Sequence, residues 1–468
     1  MKSVGYCAKS GANTANPRGS DPPGLTRGSE AEHVLWSGPI LADMSSVSRR
    51  HFGIICPYAP GHVLPMIEVA RELRDRGNRV TFYIFGDPGP GIEAAGFQVR
   101  QLADEMTPPD TQVKFGQAAG ASSGTDVLRT HAKYTAVISE AILRNAPQLV
   151  QDDQVEALLI DQVTLAGSTV ADLTGIPYIT ICNALMIDPD PSLPPYFLSK
   201  RIDFSEAAEA DNAAAWQFLD DCYEPVVASL NTFRVPADLA PFEKFSDGWS
   251  PLLQITQEVR GLEPRTHLPE HLEYVGPLLK RAGDDTDFPW GLLDGRPLAY
   301  VSMGTMQNRA ADRYRTIAEG CAGTGLQLVI TTGRGLDPAE LGDLPGDPVV
   351  VPFAPQTQLL ERCELAITSG GLNGVMEALH HGKPMLVTPI AWEQPGIAAR
   401  VEFSGAGRMI ATDELTADAV REAVVDLLTN PNYREAAAKV AAEIDQSPGA
   451  RGLAELVEQA LSGEAISA

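Results

Sequence analysis

Two Rossmann-like α/β domains facing a cleft are predicted for this chain, and three observations predict them. At 468 residues it exceeds the roughly 250–300 residues at which one hydrophobic core stops growing. Short β-branched runs alternate with amphipathic segments, which implies parallel sheets covered by helices on both faces. The same strand–loop–helix–strand unit then occurs twice, first near residue 52 and again near residue 298.

In chain order, residues 1–48 are rich in Gly, Ser, Pro and charge and lack the apolar centre of a signal peptide. They are expected to form a disordered extension, with Met44 as an alternative initiator. Phe52 to Cys56 reads as a buried strand, followed by the Pro-Gly loop 57–61, the amphipathic segment Leu64 to Arg76 and the strand Arg79 to Phe85. Val155 to Ile160 is a further strand, closed by Asp161. Gly261 to Pro297 carries Pro264, Pro269, Pro277, Pro289 and the pair Asp284-Asp285, so it reads as the linker. The N-terminal domain is accordingly expected over 49–268 and the C-terminal domain over 269–445. Leu298 to Ser302, a Gly-Thr loop, the helical segment Ala310 to Gly323 and the strand Leu326 to Thr331 repeat the unit. Val349 to Pro352 and Leu365 to Thr368 are short strands, and Ala- and Glu-rich helical periodicity follows Asn430 to about Ala460.

Composition excludes several function classes. A net charge of -25 repels nucleic acid and disfavours anionic membrane surfaces, although a local apolar face can still touch lipid. The cysteines at 7, 56, 182, 222, 321 and 363 show neither CxxC nor zinc spacing. A reducing cytoplasm fits that pattern. No run of about 18 apolar residues marks a spanning helix.

The chemistry concentrates between Val349 and Arg400. The strand ending at Thr368 runs into Ser369-Gly370-Gly371 and then a helix, whose first-turn N–H groups and dipole suit a phosphate. Gln356 and Glu377 lie where sugar hydroxyls would be near. In the first unit His62 follows the strand within PYAPGHVLP, where an imidazole can remove a hydroxyl proton near neutral pH; it can equally cap the helix at Leu64. Asp161 can fix the tautomer of that imidazole, or cap a helix starting near Thr164. Asp188-Pro189-Asp190 imitates a metal-binding carboxylate pair but reads as a loop, and His380-His381 reads as a helix end.

Gly61-His62, Leu158 to Gly167, Pro352 to Gln356, Ser369 to Glu377 and Glu393-Gln394 together resemble the nucleotide-sugar glycosyltransferases of the UDP-glycosyltransferase family. The likeness spans roughly residues 51 to 460 and is nearest the zeaxanthin (carotenoid) glucosyltransferase and macrolide glycosyltransferase branch. It implies a GT-B fold, with a last helix, within 446–468, crossing back to the N-terminal domain. It further implies inverting, metal-independent transfer of a hexose, with glucose first, from a UDP-sugar co-substrate and no other cofactor. His62 and Asp161 would be the catalytic pair. Phe353 would lie against uracil, Gln356 and Glu377 on the ribose, Gly304, Thr305, Gly371 and Asn373 at the diphosphate, and Glu393 and Gln394 on the sugar hydroxyls. Ser369 stands where most relatives carry His and Gly374 where they carry Ser or Thr, so weakened diphosphate contacts are implied. Ile181 to Phe197 resembles a carotenoid glucosyltransferase segment and implies an apolar hydroxylated acceptor, hydroxylated carotenoids first and polyketide or terpenoid alcohols next, with peripheral membrane contact to reach it. Two rival classes remain: a non-catalytic or partner-activating relative, which would bind nucleotide without transfer, and a sugar-nucleotide epimerase, which would convert donor without an acceptor.

Overall fold

The structure, a computed structural model, describes residues 49–463 apart from 88–90, 122–125, 266–267, 270, 279–285 and 305–310. The expected extension 1–48 and the candidate Thr305 lie outside the described residues.

Apolar, β-branched runs form two wholly parallel sheets. The first comprises β1 (His51–Ile55), β2 (Arg79–Ile84), β3 (Gln98–Gln101), β4 (Ala157–Asp161), β5 (Tyr178–Cys182), β6 (Gln254–Thr256) and β7 (Leu272–Tyr274), in the order β3-β2-β1-β4-β5-β6-β7. The second comprises β8 (Leu298–Ser302), β9 (Gln327–Thr331), β10 (Val349–Val351), β11 (Cys363–Thr368), β12 (Met385–Val387) and β13 (Gly407–Met409), in the order β10-β9-β8-β11-β12-β13. β1 and β4 are fully buried, as strands covered on both faces must be. In each sheet the chain reverses its direction of travel between neighbouring strands: β1 beside β4, with Ile55 opposite Ile160, and β8 beside β11, with Ser302 opposite Thr368. Ligands of such sheets bind outside the carboxyl ends of strands at these switch points.

β7 corrects the expected domain boundary. It lies beyond residue 268 yet pairs with β6 in the first sheet, so the linker begins after Tyr274. Both strands are three residues long and sit among prolines, too short for any two-residue alternation to register.

Around the sheets lie α1 (Pro60–Asp75), α2 (Gly91–Ala94), α3 (Thr111–Ala121), α4 (Asp126–Asp152), α5 (Ala166–Thr174), α6 (Glu206–Arg234), α7 (Ala311–Cys321), α8 (Gln356–Arg362), α9 (Leu372–His380), α10 (Gln394–Phe403), α11 (Ala417–Thr429), α12 (Pro431–Gln446) and α13 (Gly449–Ser462). None of the described helices is long and apolar enough to cross a membrane. α1 starts before Leu64 because Pro60 suits the first helical position, where its missing N–H has no partner to lose. α13 crosses back as expected: Leu453, Val457 and Ala460 join Val63, Met66 and Leu73 of α1 in one core, and Arg76 and Asn78 both donate to Glu458 at 2.8 Å.

The two sheets meet along α10. Gly396 donates its N–H to the Tyr196 carbonyl at 2.8 Å, and a Cβ at Gly396 would fall 2.9 Å from Tyr196 Cα, so only glycine permits this approach. One turn later the fully buried Arg400 faces Glu258 and Glu263, each at 3.9 Å, and Arg265 lies 3.6 Å from Glu263 and from Asp190. Arg265 also donates to the Asp188 carbonyl at 3.0 Å, which accounts for Asp188-Pro189-Asp190 as a braced loop.

Candidate active site

The first switch point holds the dyad. His62 lies in the first turn of α1, whose N-cap is Ala59, so the histidine is not the cap. Its Nδ1 is 2.7 Å from Asp161 Oδ2, leaving Nε2 as the nitrogen open to a substrate. Asp161, the last residue of β4, is fully buried, and its other oxygen accepts the Val163 N–H at 3.1 Å. The cap of α5 is Leu165, so capping is not the task of Asp161 either. Asn183 donates to Asp161 Oδ2 at 2.8 Å. Burial alone would lower the His62 pKa, but the charge of Asp161 and its hydrogen bond outweigh that, helped by Glu393, and the net shift is upward. Burial pushes the Glu393 carboxyl up as well.

The second switch point faces it. Gly370 takes φ +90 after β11, a left-handed conformation natural to glycine, and turns the chain into α9. Gly371 is the N-cap of α9 and supplies no side-chain acceptor, so the first-turn N–H groups remain available to an anion. Ser369 is 1% exposed, and its hydroxyl has no hydrogen-bond partner among the described residues. Gly304, at φ +76, lies beside it, a Cβ there falling 3.6 Å from Ser369 Oγ. An added Cβ at Gly374 would meet open space.

Gln356 and Glu377 come together: the Gln356 amide donates to one Glu377 oxygen, Thr357 to the other at 2.6 Å, and Tyr300 donates to Gln356 at 3.1 Å. Phe353, between β10 and α8, is 47% exposed, so it is not a core residue. Asn373 is committed across the cleft, donating to the Gly61 carbonyl at 2.9 Å and accepting from Gln257 at 2.8 Å. Gln394 braces its own loop, accepting from Ile390 and Ala391 N–H groups at 2.8 and 3.1 Å. Between them and Glu393 stands Trp392, held at φ +60, a conformation that strains a bulky residue by about 1–3 kcal/mol. Its indole packs against His131 at 4.9 Å and Phe115 at 6.0 Å on the opposite domain.

In the N-terminal domain a small, mainly apolar hollow is lined by Gln162, Val163, Leu165, Ile187, Tyr196, Tyr223, Phe245 and Trp249, and Ile187 and Tyr196 come from the segment Ile181 to Phe197. Sequence reasoning missed Asn183, Gln257, Thr357, Tyr300 and Trp392. Asn183 and Gln257 directly follow β5 and β6, so the carboxyl-end rule would have flagged both; the positive φ of Trp392 leaves no sequence signal.

Residues 264–448 match the family model described as UDP-glucoronosyl and UDP-glucosyl transferase. The chain is 29% identical to the zeaxanthin glucosyltransferase of Pantoea ananas over 418 residues, covering 88% of this chain and 96% of that protein. It is 28% identical to the oleandomycin glycosyltransferase of Streptomyces antibioticus, covering 88% and 91%. Among solved structures, the kitacinnamycin glycosyltransferase superposes with a TM-score of 0.69 at 24% identity, covering 88% of this chain and 99% of that one, and the calicheamicin glycosyltransferase with 0.68 at 23%, covering 90% and 100%. At these identities the structural matches establish the fold, GT-B.

Proposed function

From the match of residues 264–448 to the UDP-glucoronosyl and UDP-glucosyl transferase model and the likeness to two zeaxanthin glucosyltransferases, we propose that the chain is a glycosyltransferase of that family and that it transfers glucose from UDP-glucose, with inversion and without a metal ion, to a hydroxyl of an extended apolar molecule such as a hydroxylated carotenoid. The observation that carries this reading is the His62–Asp161 contact at one switch point, tied through Gly61 and Asn373 to the uncapped start of α9 at the other. His62 Nε2 takes the acceptor's proton as its oxygen bonds to the anomeric carbon. The bond from that carbon to the diphosphate breaks on the opposite face, and UDP leaves with the electron pair. The N–H groups of α9 and the Ser369 hydroxyl receive the charge on the diphosphate.

Phe353 stacks on uracil, Gln356 and Glu377 hold the ribose, and Glu393 holds the sugar hydroxyls. The apolar side chains around the hollow support an apolar alcohol over a sugar as the acceptor. The cysteines among the described residues are all buried and free, which supports a reducing cytoplasm.

Incubation with UDP-glucose and a hydroxylated carotenoid, followed by chromatography and NMR of the product, should give a β-linked glucoside. An α-linked product would contradict inversion; UDP binding with no transfer to any carotenoid, polyketide or terpenoid alcohol would favour the non-catalytic reading. Phe353→Ala should weaken UDP binding by about 5- to 150-fold, since base–aromatic stacking contributes roughly 1–3 kcal/mol. Titration calorimetry measures this, and an unchanged Kd would remove the ring from the nucleotide site.

A further inference from the structure

A closed ring of hydrogen bonds links the dyad to the other domain. It begins with a carbonyl that the sequence itself sets free. In a helix the Gly61 carbonyl would accept from the N–H of residue 65, but position 65 is proline and has none. Asn373 Nδ2, at the start of α9, donates to that carbonyl at 2.9 Å. Gln257 Nε2 donates to Asn373 Oδ1 at 2.8 Å and to the Asn183 carbonyl at 2.5 Å. Asn183 Nδ2 donates to Asp161 Oδ2, which holds His62 Nδ1, and His62 is bonded to Gly61. Asn183 and Gln257 are both almost completely buried.

We infer that Gln257 and Asn373 are positioning residues that clamp the start of α1 against α9 and thereby hold His62 on Asp161 only while the two domains are together. Neither needs to touch substrate to do this. The ring couples assembly of the donor site to orientation of the base, so the dyad is complete only in the closed molecule. The inference rests on His62 being the base, as proposed above.

The groups that face His62 are Asp161, at the end of β4, and Glu393, before α10. The thiols of Cys56 and Cys182 feel Asp161, and burial holds both well above the usual thiol range, so neither competes for its charge. Loosening the ring therefore weakens one dominant contact, His62 to Asp161, and the imidazole should lose protons at lower pH.

The test is an NMR titration of the histidine ring carbons, with His62 assigned by His62→Gln, in the full-length protein and in Gln257→Met and Asn373→Ala. Methionine preserves the volume of Gln257 while removing its donor, and alanine is well tolerated at a half-exposed helical position. In both variants the His62 titration midpoint should fall by about one unit, as expected from loss of one well-placed charge partner, while the melting profile keeps its cooperative form. An unchanged midpoint in either folded variant would overturn the inference. The readout needs neither donor nor acceptor, so it stands or falls separately from the transfer assay: a chain that transfers glucose with an unmoved His62 would keep the function and lose the clamp.

Discussion

His62→Ala should lower kcat on the order of 100- to 10,000-fold, the range that one positioned general base contributes, while leaving UDP binding near the wild-type value. The second half matters because His62 lies on the N-terminal domain, whereas Phe353, Gln356, Glu377 and the α9 N-terminus all belong to the second sheet and its helices. Steady-state rates together with calorimetry separate the two effects. Acid should act in the same direction as the mutation. The His62 pKa is raised above its ordinary value of 6.5 by Asp161, against the lowering effect of burial, and only neutral imidazole accepts the proton. kcat/KM should therefore fall as pH drops through a midpoint above 6.5, and Asp161→Asn should move that midpoint down while lowering the plateau. A pH profile flat through this range, or an active His62→Ala, would remove the histidine from the chemistry.

Arg400→Met should destabilise the fold by about 3–5 kcal/mol, the usual consequence of removing one partner from a buried ion pair and leaving the other charged. Methionine fills most of the space, so the loss would come from Glu258 and Glu263, both almost completely buried at the side chain. Burial already pushes the Glu258 carboxyl up even with Arg400 pulling it down; without the guanidinium it should rise further. A carboxylate whose folded pKa exceeds its unfolded value binds more protons folded than unfolded, so it costs stability as pH rises through that window. The penalty of Arg400→Met should accordingly be larger at pH 7.5 than at pH 5. Denaturant unfolding at both values measures it, and a loss below about 1 kcal/mol at neutral pH would mean that the ion cluster is solvated in solution.

The strands that carry chemistry were the legible ones. Leu298 to Ser302 is found with its expected bounds, and those of His51–Ile55, Gln327–Thr331 and Val349–Val351 differ by a single residue at one or both ends, because a strand buried on both faces must be continuously apolar. His62 and Asp161 were legible because one follows and the other closes such a strand; Gln356 and Glu377 were both expected at the sugar hydroxyls, on the loop–helix elements after β10 and β11, but their direct hydrogen bond was not foreseen. β6 (QIT) and β7 (LEY) were not legible, because each mixes polar with apolar residues where the equally short Val349–Val351 is wholly β-branched, and Gln257 went with them. Asn373 shows a different limit. Resemblance placed it at a diphosphate, yet its side chain spans the cleft to Gly61 and Gln257, a contact set by how two separately folded sheets approach each other and by a proline four residues after Gly61. No local pattern encodes that distance. Trp392 is similar: its strained backbone is held by packing against Phe115 and His131 from the opposite domain, and a single sequence gives no sign of either.

The most direct test of the account is calorimetric titration of the purified protein with UDP, UDP-glucose and thymidine diphosphate, because it needs no acceptor. Saturable binding that prefers the uridine compounds, weakened by Phe353→Ala and retained by His62→Ala, is the predicted result. No binding of any of the three would contradict it, and would mean that the α9 N-terminus, with Ser369 and Gly374 where the family resemblance implies His and a hydroxyl residue, does not hold a nucleotide sugar.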